Sequence, residues 1–287
     1  MRLHTHINGP KPTSAAPYPI LCLHGHPGSG AAMGVFTTPL AAQFQTIAPD
    51  LRGYGCSVTP YGFEMTRHLD DLEELLSQHQ IEQCLVLGWS LGGILAMELA
   101  LRRPQTVRGL ILVGTAARPR GSHPPISWQD NALTGLAGAL NWVFPGSEVA
   151  IACGQKSLFR YLIRQHTPEA YGYLARQGAP AYLKTSRHAE AALFQAIRAG
   201  YNRLPDVRQL HIPSLMLCGE CDRHITAEAS LETARALPNC EVRCYPDTAH
   251  LFPWEIPHQV NADIRRWLQA HDADIWPSGP TPSALNH

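Results

Sequence analysis

The chain has 287 residues, 45% of them hydrophobic, which is enough for one large domain or a domain carrying an insertion and too apolar for a disordered polymer. Lys+Arg and Asp+Glu number 23 each and no long block of one sign occurs, which argues against nucleic acid or an anionic membrane as partner. No apolar run reaches the roughly 18 residues of a spanning helix, and MRLHTHINGPKPTS lacks the apolar stretch of a secretory signal, so a cytoplasmic protein without a transmembrane segment is expected.

Taken in chain order, short apolar runs predict strands over residues 2–7, 19–24, 46–49, 83–88, 109–114, 214–219 and 241–245. Between the third and fourth, Leu69, Leu72, Leu75 and Leu76 share one face of a helix over 67–80, with Thr66 placed as its N-cap. Near the end, Val260, Ile264, Trp267 and Leu268 repeat the same spacing behind Pro257, a residue suited to a first helical turn. Strands alternating with helices imply an α/β core, residues 1–116 and 205–271, with a mostly parallel sheet covered on both faces.

The alternation stops over 117–204, where helices are predicted at 157–166, 168–177 and 188–199, so this stretch reads as a helical insertion over the sheet. Within it, ALTGLAGALNWVF (132–144) is apolar on every side except at Thr134 and Asn141, and a helix of that kind requires a cover. Residues 272–287, ending in WPSGPTPSALNH, read as a flexible tail. Among eight cysteines, Cys218 and Cys221 form a CxxC and Cys240 lies near Cys244. Cys22, Cys84, Cys218 and Cys244 nevertheless fall inside strand runs, where cysteine packs as a small hydrophobe. No metal and no cofactor are therefore expected.

The chemistry centres on Gly88-Trp89-Ser90-Leu91-Gly92, at the junction of a strand and a helix. A strand that turns at once into a helix leaves no room for Cβ atoms beside the apex and strains the apex residue, whose side chain then projects beyond the strand's carboxyl end. A serine hydroxyl is a poor nucleophile near neutral pH and needs a histidine as base and a carboxylate to orient that histidine. Asp222 and His250 follow the last two predicted strands in the order Ser, acid, His. Glu220, two residues from Asp222, is the alternative acid and otherwise a partner for a basic neighbour such as Arg223. Charge developing on a carbonyl oxygen needs backbone donors, and the N–H groups of Leu91 and of His26, in HGHPGS (24–29), are the candidates. The His26 side chain is an alternative, less fitting base.

HGHPGS (24–29), PDLRGYGCS (49–57), GWSLGG (88–93), GECD (219–222) and AHLFPWEIP (249–257) occur in the order found in the α/β-hydrolase superfamily, and the chain resembles its branch with a helical cap inserted after the sixth strand. The resemblance implies Ser90, Asp222 and His250 as catalytic triad. The fit departs at the start, where the usual opening hairpin is shortened to one strand. Cys56 also replaces a residue that is polar in many relatives. Serine at the elbow argues against epoxide and haloalkane hydrolases, which use aspartate, and the GGSWG elbow of proline iminopeptidases is absent. GWSLGG is similar to the elbow of esterases that act on the methyl ester of pimeloyl-carrier protein and of haloperoxidase-like esterases. The expected activity is cleavage of a small-molecule carboxylic ester by a monomer or homodimer, with a C–C hydrolase or lyase, or a non-catalytic binding protein, as alternatives. Trp89, Leu136 and Leu140 are expected to line the substrate pocket, with the segment 132–144 favouring medium-length acyl chains.

Overall fold

Seven strands make one sheet in the order β1-β3-β2-β4-β5-β6-β7 in the computed structural model, which describes residues 1–12 and 18–275. They are β1 Thr5–Asn8, β2 Ile20–Leu23, β3 Thr46–Pro49, β4 Cys84–Trp89, β5 Val107–Val113, β6 Ser214–Gly219 and β7 Cys240–Tyr245. All pairings are parallel except β1 with β3, which is antiparallel, so β1 is a short reversed edge strand.

The inner strands read as unbroken apolar runs because both faces are covered. Alternate residues sort to opposite sides: Leu21, Leu23, Val86, Leu110, Leu112 and Met216 join one core, and Ile20, Cys22, Leu85, Leu87, Ile111 and Leu217 the other. Helices α1 (Gly34–Leu40), α2 (Arg67–Gln78) and α3 (Leu91–Arg102) come before β5. Helix α2 carries its leucines inward, but Thr66 takes helical backbone angles and its side chain caps nothing. The expected N-cap is thus displaced by an extra turn, in which the N–H of Arg67 bonds to the Glu64 carbonyl.

Between β5 and β6 lie α4 (Trp128–Val143), α5 (Glu148–Gly154), α6 (Phe159–Leu162), α7 (Pro168–Tyr173), α8 (Ala179–Leu183), α9 (Arg187–Arg198) and α10 (Leu204–Val207). A π-helical turn, Leu174–Gly178, joins α7 to α8. This insertion follows β5, the fifth strand of this chain and the sixth in the count of the branch it resembles, since the opening hairpin is reduced to β1 among the described residues. Helix α11 (Ala227–Ala236) precedes β7, and α12 (Phe252–Glu255), α13 (Pro257–Ala270) and α14 (Asp272–Ile275) close the described chain. Pro257 opens α13 as its spacing required. The expected tail boundary moves: residues 272–275 are helical because Ile275 is fully buried against the core, while 276–287 lie outside the described residues.

Helix α4 departs most from expectation. Only Ala137 and Asn141 are buried on it, packed toward α5 and the π turn; Leu136 is 52% exposed, and Trp142, Val143 and Phe144 are more exposed still. The apolar helix is not covered, because its neighbours in the insertion reach only its narrow inner face.

Candidate active site

Strand β4 ends at Trp89 and α3 starts at Leu91, so the whole turn is Ser90, held at φ 54° and ψ −116°. Non-glycine residues rarely occupy such positive φ, and the cost of order 1–3 kcal/mol is tolerated only where the surroundings fix the backbone. Here they do. A Cβ on Gly88 would fall on the backbone of Gly92, and one on Gly92 would fall on the carbonyl of Leu23 in β2. The Ser90 carbonyl accepts from Thr115 Oγ1 (2.8 Å), and its N–H donates to the Val113 carbonyl (2.9 Å). Thr115, just past β5, is a brace that no sequence pattern signalled. Among the described residues the Ser90 hydroxyl itself forms no hydrogen bond, which leaves it free to turn.

Asp222 follows β6 and His250 follows β7, both at the same carboxyl edge of the sheet as Ser90. His250 Nδ1 lies 2.7 Å from Asp222 Oδ2, and both side chains are buried. The other carboxylate oxygen, Oδ1, accepts the N–H groups of His224 (2.7 Å) and Ile225 (3.0 Å). A carboxylate fixed from both sides holds the imidazole in the tautomer that carries its proton on Nδ1, leaving Nε2 as acceptor. Glu220 is exposed and accepts only from the Asp247 N–H, at 3.4 Å, so it does not meet His250; nor does it pair with Arg223 among the described residues.

Leu91 is the first residue of α3, so its N–H has no partner within the helix and adds to the positive end of the helix dipole beside Ser90. His26 lies in the loop after β2, and that loop is pressed onto the elbow: a Cβ on Gly25 would touch Trp89 and Ser90 Cβ. The His26 side chain turns away, with Nδ1 2.9 Å from the Tyr54 hydroxyl and its ring edge-on to Tyr54 and Phe194. Burial pulls its pKa down to about 4, so it is a neutral positioning group here. His24 anchors the same loop: Nδ1 donates to the Gly25 carbonyl (2.8 Å), and Nε2 accepts the Leu51 N–H (3.0 Å). Desolvation lowers its pKa to about 4 as well.

Glu255 lies within AHLFPWEIP (249–257), where no local pattern signals its role. Its buried carboxylate accepts the N–H groups of Ala249 (3.1 Å), Arg164 (3.1 Å) and Gln165 (2.6 Å). It therefore ties the His250 loop to the insertion, and Leu251 N–H donates to the Leu162 carbonyl (2.8 Å) beside it. Burial raises its pKa in spite of those three donors. His224 was also missed; its ring lies 4.7 Å from that of His250 and stacks at 13° with His123, where the chain enters the insertion.

Of the expected pocket residues, Trp89 is buried, its ring 5.6 Å from that of His250 and 4.7 Å from that of Trp254, which in turn stacks on Tyr173 at 3.9 Å. Trp89 is packed between His250 and Trp254. Leu140 is half-buried and Leu136 open, both on α4, which begins five residues after His123.

Residues 18–257 match the model of a family described as the alpha/beta hydrolase fold. A pimeloyl-[acyl-carrier protein] methyl ester esterase of Vibrio atlanticus is 25% identical over 267 residues, covering 86% of this chain and 91% of that one. A putative 2-succinyl-6-hydroxy-2,4-cyclohexadiene-1-carboxylate synthase of Bacillus subtilis is 23% identical, covering 87% and 89%. Among solved structures, a thermophilic esterase from Thermogutta terrifontis superposes with a TM-score of 0.68 at 25% identity, covering 93% of each chain. No helix among the described residues is long and apolar enough to cross a membrane.

Proposed function

The chain belongs to the α/β-hydrolase fold family, and from that premise we propose that it is a serine carboxylesterase cleaving a small or medium-sized ester through an acyl-enzyme. The observation that carries the proposal is the buried, doubly fixed Asp222–His250 pair at 2.7 Å beside a serine at positive φ on a helix N-terminus. In this reading His250 Nε2 takes the Ser90 proton as Oγ attacks the ester carbonyl. The tetrahedral oxyanion is received by the N–H groups of Leu91 and His26, each contributing on the order of 3 kcal/mol. The protonated His250, stabilised by Asp222, passes its proton to the departing alcohol, and water then repeats the sequence to free the acid and restore Ser90.

The insertion acts as a cap in this proposal, since Leu162, Arg164 and Gln165 are bonded to Leu251 and Glu255 just after His250. Leu136 and Leu140 supply the acyl surface and Trp89 the wall behind it. The ester class also agrees with the Vibrio and Thermogutta relatives. A C–C hydrolase or lyase is the second reading, favoured by the Bacillus relative. We place the protein in the cytoplasm, in keeping with eight free cysteines, and as a monomer or homodimer.

The decisive experiment is active-site labelling. A fluorophosphonate probe is expected to modify the protein once, at Ser90, and Ser90→Ala to remove both labelling and p-nitrophenyl ester cleavage. Labelling that persists in the variant refutes the nucleophile assignment. Labelling without cleavage of any ester moves the reading to the C–C hydrolase or lyase.

A further inference from the structure

We propose that His4, His6 and Asp50 form a binding site for a divalent transition cation, of the zinc, cobalt or nickel class, at the β1 edge of the sheet. These three residues, unlike the cysteines, come together only in the fold. Imidazole, imidazole and carboxylate offer one ligand atom each, and those atoms all lie within 4.8 Å of one another.

The backbone brings them together. His4 leads into β1 and His6 lies within it, two residues apart in extended chain, so their side chains share one face. Their rings are 4.9 Å apart and nearly perpendicular, at 81°. Asp50 follows β3, whose antiparallel register pairs Thr5 with Pro49, and its N–H donates to the His4 carbonyl (2.8 Å). His6 also needs room: a Cβ on Gly30 would stand 2.8 Å from His6 Cδ2.

The carboxylate is what distinguishes this cluster from a chance grouping. Asp50 is almost fully buried, yet among the described residues no lysine or arginine pairs with it; its one titratable partner is His4, with Nδ1 3.2 Å from Oδ2. A buried carboxylate without a permanent cation is costly. Two backbone donors orient it, Gly30 N–H to Oδ1 (2.7 Å) and Cys56 N–H to Oδ2 (2.8 Å), as outer partners orient a metal ligand. The 3.2 Å separation also suits a shared cation, because ligands bound at about 2.0–2.1 Å in a tetrahedron lie roughly 3.3 Å apart. His4 is the exposed member, which gives a route in and leaves the remaining positions to water. Two nitrogens and one oxygen select borderline transition ions over magnesium or calcium.

Such an ion would clamp the edge strand to the loops around the site, since Asp50 holds Gly30 and the adjacent Leu51 N–H is bonded to His24. The test uses tag-free, chelator-treated full-length protein. Zn²⁺ titrated by calorimetry is expected to bind one equivalent, Co²⁺ to give the intense visible absorption of a low-symmetry site, and added Zn²⁺ to raise Tm in proportion to its logarithm. His4→Gln and His6→Gln, which keep a polar group in place, are each expected to weaken Zn²⁺ binding at least tenfold, and together to abolish the equivalent. His79→Gln, on an exposed helix end, is the control that leaves it intact. Absence of a bound equivalent, or binding unchanged in the double variant, overturns the proposal.

Discussion

The carboxyl edge of the sheet and the outer face of α4 are built from similarly apolar sequence and behave in opposite ways. At the sheet edge every residue is constrained from several directions: Gly88 and Gly92 by steric contact, Ser90 by Thr115, Asp222 by three donors. On α4 only Ala137 and Asn141 are buried, and Leu136, Trp142 and Val143 face outward. Hydrophobicity therefore marks burial only when a contrasting polar side gives it direction. Geometry that several elements must satisfy at once is the more secure guide to function.

The largest expected effect tests that over-determination. Asp222→Asn is expected to fold normally and to lose roughly 10⁴ in kcat, because an amide no longer enforces the productive tautomer. Glu220→Gln, on an exposed side chain, should change kcat less than twofold. Steady-state kinetics on one p-nitrophenyl ester, with circular dichroism to check folding, decides it; reversed results would transfer the acid role to Glu220.

Next comes the brace between the two regions. Glu255→Leu leaves the N–H groups of Ala249, Arg164 and Gln165 without their acceptor, at about 1–3 kcal/mol for a buried group left unpaired. A lower denaturation midpoint, together with a reduced kcat from the loosened His250 loop, is the expected outcome. An unchanged midpoint would show that the insertion and the sheet edge are independent.

A smaller effect comes from pH. His24 and His26 have folded pKa values of about 4, and His68 is lowered further, against 6.5 for a free imidazole, all because burial disfavours the charged ring. The folded state then binds fewer protons than the unfolded chain below 6.5, so their stabilising contribution is whole above 6.5 and is lost as pH falls toward 4. Glu255 acts in the opposite sense. Its pKa is raised above 4.5, so the folded state binds more protons there and stability falls as pH rises through that window. Burial lowers His166 and His224 as well, so five histidines outweigh one carboxyl, and urea midpoints should fall between pH 7 and 5. His68→Leu should flatten that decline, since its buried Nδ1 has no partner to lose. A decline of the same steepness in His68→Leu would remove this histidine from the account.

All seven strands were legible, with ends shifted by no more than a few residues; the five inner ones stood out because parallel strands buried on both faces must be continuous apolar runs. Ser90, Asp222 and His250 were legible as candidates because each must sit just after a strand. What escaped were long-range partners. Thr115, Glu255 and His224 act through backbone groups or rings far away in the chain, and nothing local to them announces it. His4, His6 and Asp50 meet only through an antiparallel register. Within the insertion the helical segments at 132–144, 168–177 and 188–199 were found, α5 and α8 were not, and over 157–166 only Phe159–Leu162 is helical, the residues before it forming turns.

The smallest expected effect asks what the open face of α4 is for. If that face is only solvent-exposed surface, Leu136→Ser should alter stability by less than about 0.5 kcal/mol and leave every substrate unaffected. As the acyl surface of the proposed esterase, it should instead reward chain length. Each methylene buried on binding contributes about 0.8 kcal/mol, close to fourfold in kcat/KM, so activity on p-nitrophenyl esters should climb from acetate toward hexanoate or octanoate. Leu136→Trp or Leu140→Trp should then flatten the climb by filling the space left open by Gly135 and Gly138, where no atom lies within 4 Å of an added Cβ. Because Leu136 is half exposed already, only part of each methylene is desolvated, and the slope should come out shallower than the full fourfold. A profile that peaks at acetate in the parent and in both variants would assign α4 to the surface and place the acyl chain elsewhere.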